Sequence, residues 1–219
     1  MRAPLPALAT VVLLSGIPAI STAAPPTVEA ISTNYNYCTV CHGPNGNGNT
    51  AIAAPAIAGI EPWYLTEQLK AYRERLRGQD FKVDPAGTEM RIVARELSDK
   101  QITNLAQYVG RFSVERKSAS LPGDAAHGKQ LYAAHCAVCH GEQAAGNATL
   151  RAPALRRLND WYIVASYNRY RSGVRGASPD NPWGNQMHQI AQSLPDAFPI
   201  NDVSAYLTTL DPTKGSERK

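Results

Sequence analysis

The sequence predicts an all-α protein built from two tandem domains, and three observations carry that prediction. The run Tyr37-Cys38-Thr39-Val40-Cys41-His42 returns ninety-eight residues later as His135-Cys136-Ala137-Val138-Cys139-His140. The two halves keep a common register far beyond those runs. Apolar residues recur at helical spacing, and no segment shows sustained strand alternation. A register held over this length is an internal duplication.

The chain opens with Met1-Arg2, an apolar run from about Ala7 to Ile17, then Pro18 and Ser21-Thr22-Ala23-Ala24. This is the pattern of a secretory signal peptide, residues 1–23, cleaved after Ala23. An uncleaved anchor is the alternative, but the run is short for a bilayer span. The first domain is expected over 24–112, an exposed polar linker over 113–123, and the second domain over 124–219. The linker, from Ser113 to Gly123, is charged and ends in Pro-Gly.

Within the halves, Asp124 is placed to cap a helix that runs through Leu131 and Tyr132 into Cys136. A weaker counterpart runs from Thr27 to Tyr37. Loops rich in Gly, Asn and Ala follow each histidine, from Gly43 to Ala54 and from Gly141 to Ala152. Next come amphipathic helices carrying Trp63, Leu65, Leu69, Tyr72 and Leu76, and Trp161, Val164, Tyr167, Tyr170 and Val174. Gly78 and Gly176 are expected to stop them. Ser98-Asp99-Lys100-Gln101 has the form of a capping box for the closing helix, whose stripe is Ile102, Leu105, Tyr108 and Phe112. The second closing helix begins near Asn201, with Ile200, Val203, Tyr206, Leu207 and Leu210 as its stripe.

C-x-x-C-H is the attachment run of a c-type haem. Two thiols and an imidazole at i, i+3 and i+4 share one helix face, so all three reach one porphyrin. A thioredoxin-like pair needs no following histidine. Zinc is the stronger rival, since the four thiolates would satisfy it. It does not explain a histidine directly after each pair, so two haems are expected. All four cysteines fall in these runs, leaving none for disulfides. Cysteines used in this way agree with export, and the mature chain is expected in the periplasm if the source is a Gram-negative bacterium.

The sixth iron position follows from the inventory. The chain has three methionines. Met1 leaves with the signal, and Met90 and Met187 occupy matching positions after His42 and His140. Both are expected as distal ligands, methionine being a common sixth ligand that raises the reduction potential. His188 beside Met187 is the alternative for the second iron. His127 and His135 are read as surface or packing residues.

Formal charge is +4 for the whole chain, and haem propionates would offset it, so a nucleic-acid binder has little support. Arg73, Arg75, Arg77, Arg169, Arg171 and Arg175 suggest either a basic docking surface or, the favoured reading, a solvated helix face.

The two motifs, the Pro-containing loops, the Trp/Tyr helices, the matched methionines and the Tyr-bearing closing helices resemble the dihaem class I cytochromes c of the cytochrome c4 type. The resemblance spans about Ile31 to Leu210. It implies two tandem cytochrome c domains with one haem each. Cys38, Cys41, Cys136 and Cys139 would carry thioethers, His42 and His140 would be proximal ligands, and Met90 and Met187 distal ones. Pro55 and Pro153 match the family's proline whose carbonyl accepts the imidazole N–H. It also implies electron shuttling, from a quinol-oxidising complex or a dehydrogenase to an acceptor such as a terminal oxidase.

A dedicated cytochrome subunit of one dehydrogenase would look much the same. A catalytic dihaem enzyme, a peroxidase or thiosulfate-oxidising enzyme, would need an open iron position, and here a methionine is available for each iron. The halves differ where Ala56-Ile57-Ala58-Gly59 becomes Ala154-Leu155-Arg156-Arg157. Two inequivalent haems are therefore expected, the second at the higher potential because positive charge favours the reduced form.

Overall fold

The computed structural model describes residues 28–115 and 118–213. The signal-peptide reading and Lys117 of the linker lie outside them. Within them every regular element is helical apart from two isolated bridges, Asn49 with Ala54 and Asn147 with Ala152.

The first domain comprises α1 (Val28–His42), α2 (Pro62–Arg73), α3 (Pro85–Ala94) and α4 (Asp99–Val109). The second comprises α5 (Ala125–His135), α6 (Ala137–His140), α7 (Asp160–Arg171), α8 (Pro182–Ser193) and α9 (Ile200–Thr209). The starts obey local chemistry. Ser98 and Gln101 close a complete capping box on α4. Asp124 accepts from the N–H groups of Ala126 and His127 at the head of α5. The methionine helices begin alike, with Asp84 accepting from Gly87 N and Asn181 from Gly184 N, and a proline inside each first turn. Pro182, Trp183 and Gly184 form the first turn of α8.

Packing joins the ends of each domain. Tyr35 of α1 meets Tyr108 of α4 with ring centroids 5.6 Å apart, and Tyr132 of α5 meets Tyr206 of α9 at the same distance. Val203 and Leu207 of α9 are almost fully buried, and such side chains each contribute about 1.5–3 kcal/mol on burial. His127, an expected surface residue, pairs with Asp202 at 2.8 Å. His135 is exposed and packs edge-on against Phe198.

Three expectations change. Helices α2 and α7 end at Arg73 and Arg171, so Leu76 and Val174 lie beyond them and Gly78 and Gly176 stand five residues past the ends. The repeat also slips by one residue before the cysteines. Tyr35 donates to Gly43 O and Tyr132 to Gly141 O, so the matched tyrosines are 97 apart while the C-x-x-C-H runs are 98 apart. Unbroken α1 becomes two pieces, α5 and α6, with Cys136 between them at φ −120° to absorb the extra residue.

Of the six arginines read as a docking surface or a solvated face, only Arg75 is exposed; the other five are buried or half-buried. Arg77 and Arg175 are 4% and 3% exposed. Arg73 holds Asp99 and Leu97 O, while Arg171 holds Leu194 O and Asp196. Arg169 crosses to Asp84 at 2.9 Å and Arg151 to Glu67 at 2.8 Å, both between domains. The second-domain core continues into the first through Ile60, with Ile57, Tyr64 and Leu65 packed against it. The linker end is anchored too: Ser120 N and Leu121 N both donate to Asp160 Oδ2, at 2.5 and 2.8 Å.

Candidate functional site

The histidine of each C-x-x-C-H run is fixed by the loop that follows it. His42 Nδ1 lies 2.8 Å from Pro55 O, and His140 Nδ1 lies 2.9 Å from Pro153 O. A carbonyl only accepts, so Nδ1 carries the proton and Nε2 keeps its lone pair for a metal. Burial lowers the pKa of both imidazoles and the carbonyl bond opposes it, with burial prevailing. Neutral imidazole is the form that ligates iron.

The loop geometry requires glycine at one matched place. Gly48 and Gly146 have φ of +81° and +83°, and a Cβ on either would come within 2.6 Å of the backbone around the proline. The N–H of each glycine closes the loop on the histidine's own carbonyl at 2.9 Å. The tight turn brings Pro55 and Pro153 back over His42 and His140.

In the second domain a cavity of about 490 Å³ gathers the predicted set. Cys136, Cys139, His140, Pro153 and Met187 all line it. Burial raises the Cys136 thiol to about 11 and also raises Cys38. His188 does not line the cavity. It is buried, with Nδ1 held by Tyr170 O, and neighbouring residues on a helix point in different directions. In the first domain, Met90 packs against the cluster of Leu69, Tyr72, Ala94 and Ile102, and Cys38 against that of Tyr35, Leu105 and Val109. Val40 and Val138, inside the two motifs, are 76% and 81% exposed.

First-domain residues also reach the second cavity, whose lining includes Tyr64, Gln68 and Ala71. There a polar cluster stands between the domains that the sequence reading missed. Gln68 Oε1 accepts from Arg77 at 2.7 Å and from Arg175 at 2.8 Å, and Arg175 also donates to Tyr64 Oη at 2.9 Å. Burial alone would raise the Tyr162 phenol, but Arg77 and Arg175 outweigh it and bring it down to about 7. Among the described residues neither arginine pairs with a carboxylate. Buried charge needs an anion.

A haem fits these residues. The cavity is largely apolar, imidazole and thioether donors line it, and Arg175 on its wall suits the carboxylate-bearing edge of the porphyrin. Cys136 and Cys139 would bind it covalently in the second domain, and Cys38 and Cys41 in the first.

The Arg156 and Arg157 of the inequivalence argument do not line the cavity. Arg156 is buried and donates to Gln143 O, and Arg157 crosses to Gly59 O.

Two helical domains, each with a C-x-x-C-H run and a histidine tethered to a proline carbonyl, define a class: dihaem c-type cytochromes. Comparison with known proteins agrees. The cytochrome c family model matches residues 28–112 and again 125–211. The thiosulfate dehydrogenase electron acceptor of Thiomonas intermedia is 32% identical, over 92% of this chain and 89% of its own. Cytochrome c4 of Thiocapsa roseopersicina is 30% identical, over 79% of this chain and 86% of its own. The solved cytochrome c4 of Acidithiobacillus ferrooxidans superposes with a TM-score of 0.65 at 28% identity, over 80% of this chain and 99% of that one. The chain belongs to the cytochrome c family as a dihaem electron-transfer cytochrome of the c4 type, with two covalently bound haem c groups.

Proposed function

We propose that this chain is a periplasmic carrier in which His42 and Met90 hold one iron and His140 and Met187 the other. Cys38, Cys41, Cys136 and Cys139 form the thioethers, Pro55 and Pro153 orient the imidazoles, and residues 1–23 direct export. No helix among the described residues is long and apolar enough to cross a membrane. The observation that carries this reading is the convergence of Cys136, Cys139, His140 and Met187 on one cavity.

Each haem, when bound, supplies a reversible one-electron couple. The protein's residues do the rest. Burial keeps each imidazole neutral and the proline carbonyls orient it, so little rearranges as charge changes. Met90 and Met187 would each supply a thioether, a ligand that favours reduced iron. The largely apolar lining lowers the polarity around the second site. Tyr64 and Gln68 bring the first domain to the wall of that site, which favours electron exchange within the molecule. A methionine at each iron would leave no open position for substrate, which favours electron carriage over catalysis at iron.

Donors and acceptors are redox proteins, a quinol-oxidising complex or dehydrogenase on one side and an acceptor such as a terminal oxidase on the other. A second reading, the dedicated acceptor of one dehydrogenase, is favoured by the match to the Thiomonas protein along nearly the whole chain. Intact mass after acid denaturation tests the haem assignment: a chain beginning near Ala24 with two haem additions is expected, and one addition or none contradicts it. Reduction rates separate the partners. A dedicated acceptor is reduced far faster by thiosulfate dehydrogenase and its substrate than by a quinol-oxidising complex, and a general shuttle accepts from the latter.

A further inference from the structure

The peptide group that binds each proximal histidine is itself gripped from the other domain. The Pro55 carbonyl accepts from His42, and the amide of that same peptide, Ala56 N–H, donates to Asn159 Oδ1 at 2.7 Å. The Pro153 carbonyl accepts from His140, and Ala154 N–H donates to Glu61 Oε1 at 3.1 Å. Asn159 and Glu61 occupy matching positions in the duplication. They are the N-cap residues of α7 and α2, yet neither side chain caps its own helix. Asparagine is among the best helix caps, so spending its oxygen across the interface needs a reason. Ala56 and Ala154 are 2% and 3% exposed, so water does not substitute for these acceptors.

We propose that Glu61 and Asn159 are positioning residues that tune the iron ligand of the opposite domain through one peptide group. The proposal rests on His42 and His140 being the proximal ligands. Hydrogen bonds in a chain polarise one another. An acceptor on the amide N–H pushes electron density onto the carbonyl oxygen, and a stronger carbonyl acceptor makes the imidazole a more basic ligand. A more basic ligand stabilises oxidised iron and lowers the potential. A carboxylate is the stronger acceptor and an amide the weaker, so Glu61 depresses the second haem more than Asn159 depresses the first. The duplication thus carries its own asymmetry, written across the interface. Arg156 faces Glu61 electrostatically and acts in the opposite sense, so the contribution of Glu61 is read from variants and not from the resting difference between haems.

The test is potentiometry with proton NMR on the haem-loaded protein. The reduced wild type reports its ligands first, through two ring-current-shifted methionine methyl signals. Their absence overturns the ligand assignment itself. With them present, Glu61→Gln, which keeps an acceptor and removes the charge, is expected to raise the second-haem potential and leave the first unmoved. Asn159→Asp is expected to lower the first and leave the second. Each shift should accompany movement of the Nδ1–H resonance of the histidine in the opposite domain. Potentials that stay put overturn the proposal. So do potentials that move without that resonance, since this is through-space charge alone.

Discussion

Arg169 of α7 reaches Asp84 at 2.9 Å, and Asp84 is the residue that caps the helix bearing Met90. One contact therefore ties the second domain to the start of the helix that carries Met90. Asp84 is only 4% exposed. Arg169→Ala leaves a buried carboxylate short of its cation, with an expected cost of about 1.5–3 kcal/mol. Denaturant titration of the haem-loaded protein should show it, and the Met90 spectral band should weaken at lower denaturant than the Met187 band.

Asp160 gives a pH dependence with a definite sign. Burial would raise its pKa, but bonds from Ser120, Leu121 and Trp161 outweigh that and hold it below the ordinary carboxylate value. The unfolded chain then binds the proton first. The stabilisation is whole above the unfolded value of about 4 and is lost as pH falls through the lower folded value. Asp160→Asn should cost about 1–3 kcal/mol at neutral pH and flatten the acid limb of a stability–pH profile measured by denaturant midpoints.

Gly128 is where α5 crosses α9. A Cβ there would lie 1.8 Å from Asp202 O. Because the obstacle is backbone, Gly128→Ala must push the helices apart, at about 1–3 kcal/mol. Thermal unfolding should show a lower midpoint for the second domain.

The proposed distal ligands, Met90 and Met187, can be tested separately by mutation. Met90→Ala and Met187→Ala should each abolish about half of the weak methionine-to-iron charge-transfer absorbance and leave the other haem low-spin. His188→Ala should keep both bands, because His188 is turned to Tyr170 O and away from the cavity. A low-spin second haem in Met187→Ala that is lost in His188→Ala reverses the assignment.

How far the sequence could be read depended on the range of the interactions. Local chemistry showed through: the Ser98–Gln101 box, the Asp124 cap, the helical stripes and the duplicated motifs all depend on neighbours within a few residues. The matching methionines were visible because the inventory held so few. What failed was long-range. Arg77 and Arg175 look like surface charges, because the first-half arginines are interspersed with Glu67 and Glu74; only the meeting of the two domains at Tyr64, Gln68 and Tyr162 buries them. The slip before Cys136 was hidden because Tyr35 and Tyr132 are out of step with the motif by one residue. The partners of Glu61 and Asn159 come from the opposite domain, about a hundred residues away, and no local pattern announces them.

The most direct test of the central claim, a carrier with histidine and methionine at both irons, is an optically monitored redox titration of the purified protein. Two one-electron steps are predicted, with both haems low-spin in each state and the charge-transfer absorbance of two methionine-ligated ferric haems lost as they are reduced. A high-spin component at either step, or electron uptake corresponding to one haem per chain, would contradict it.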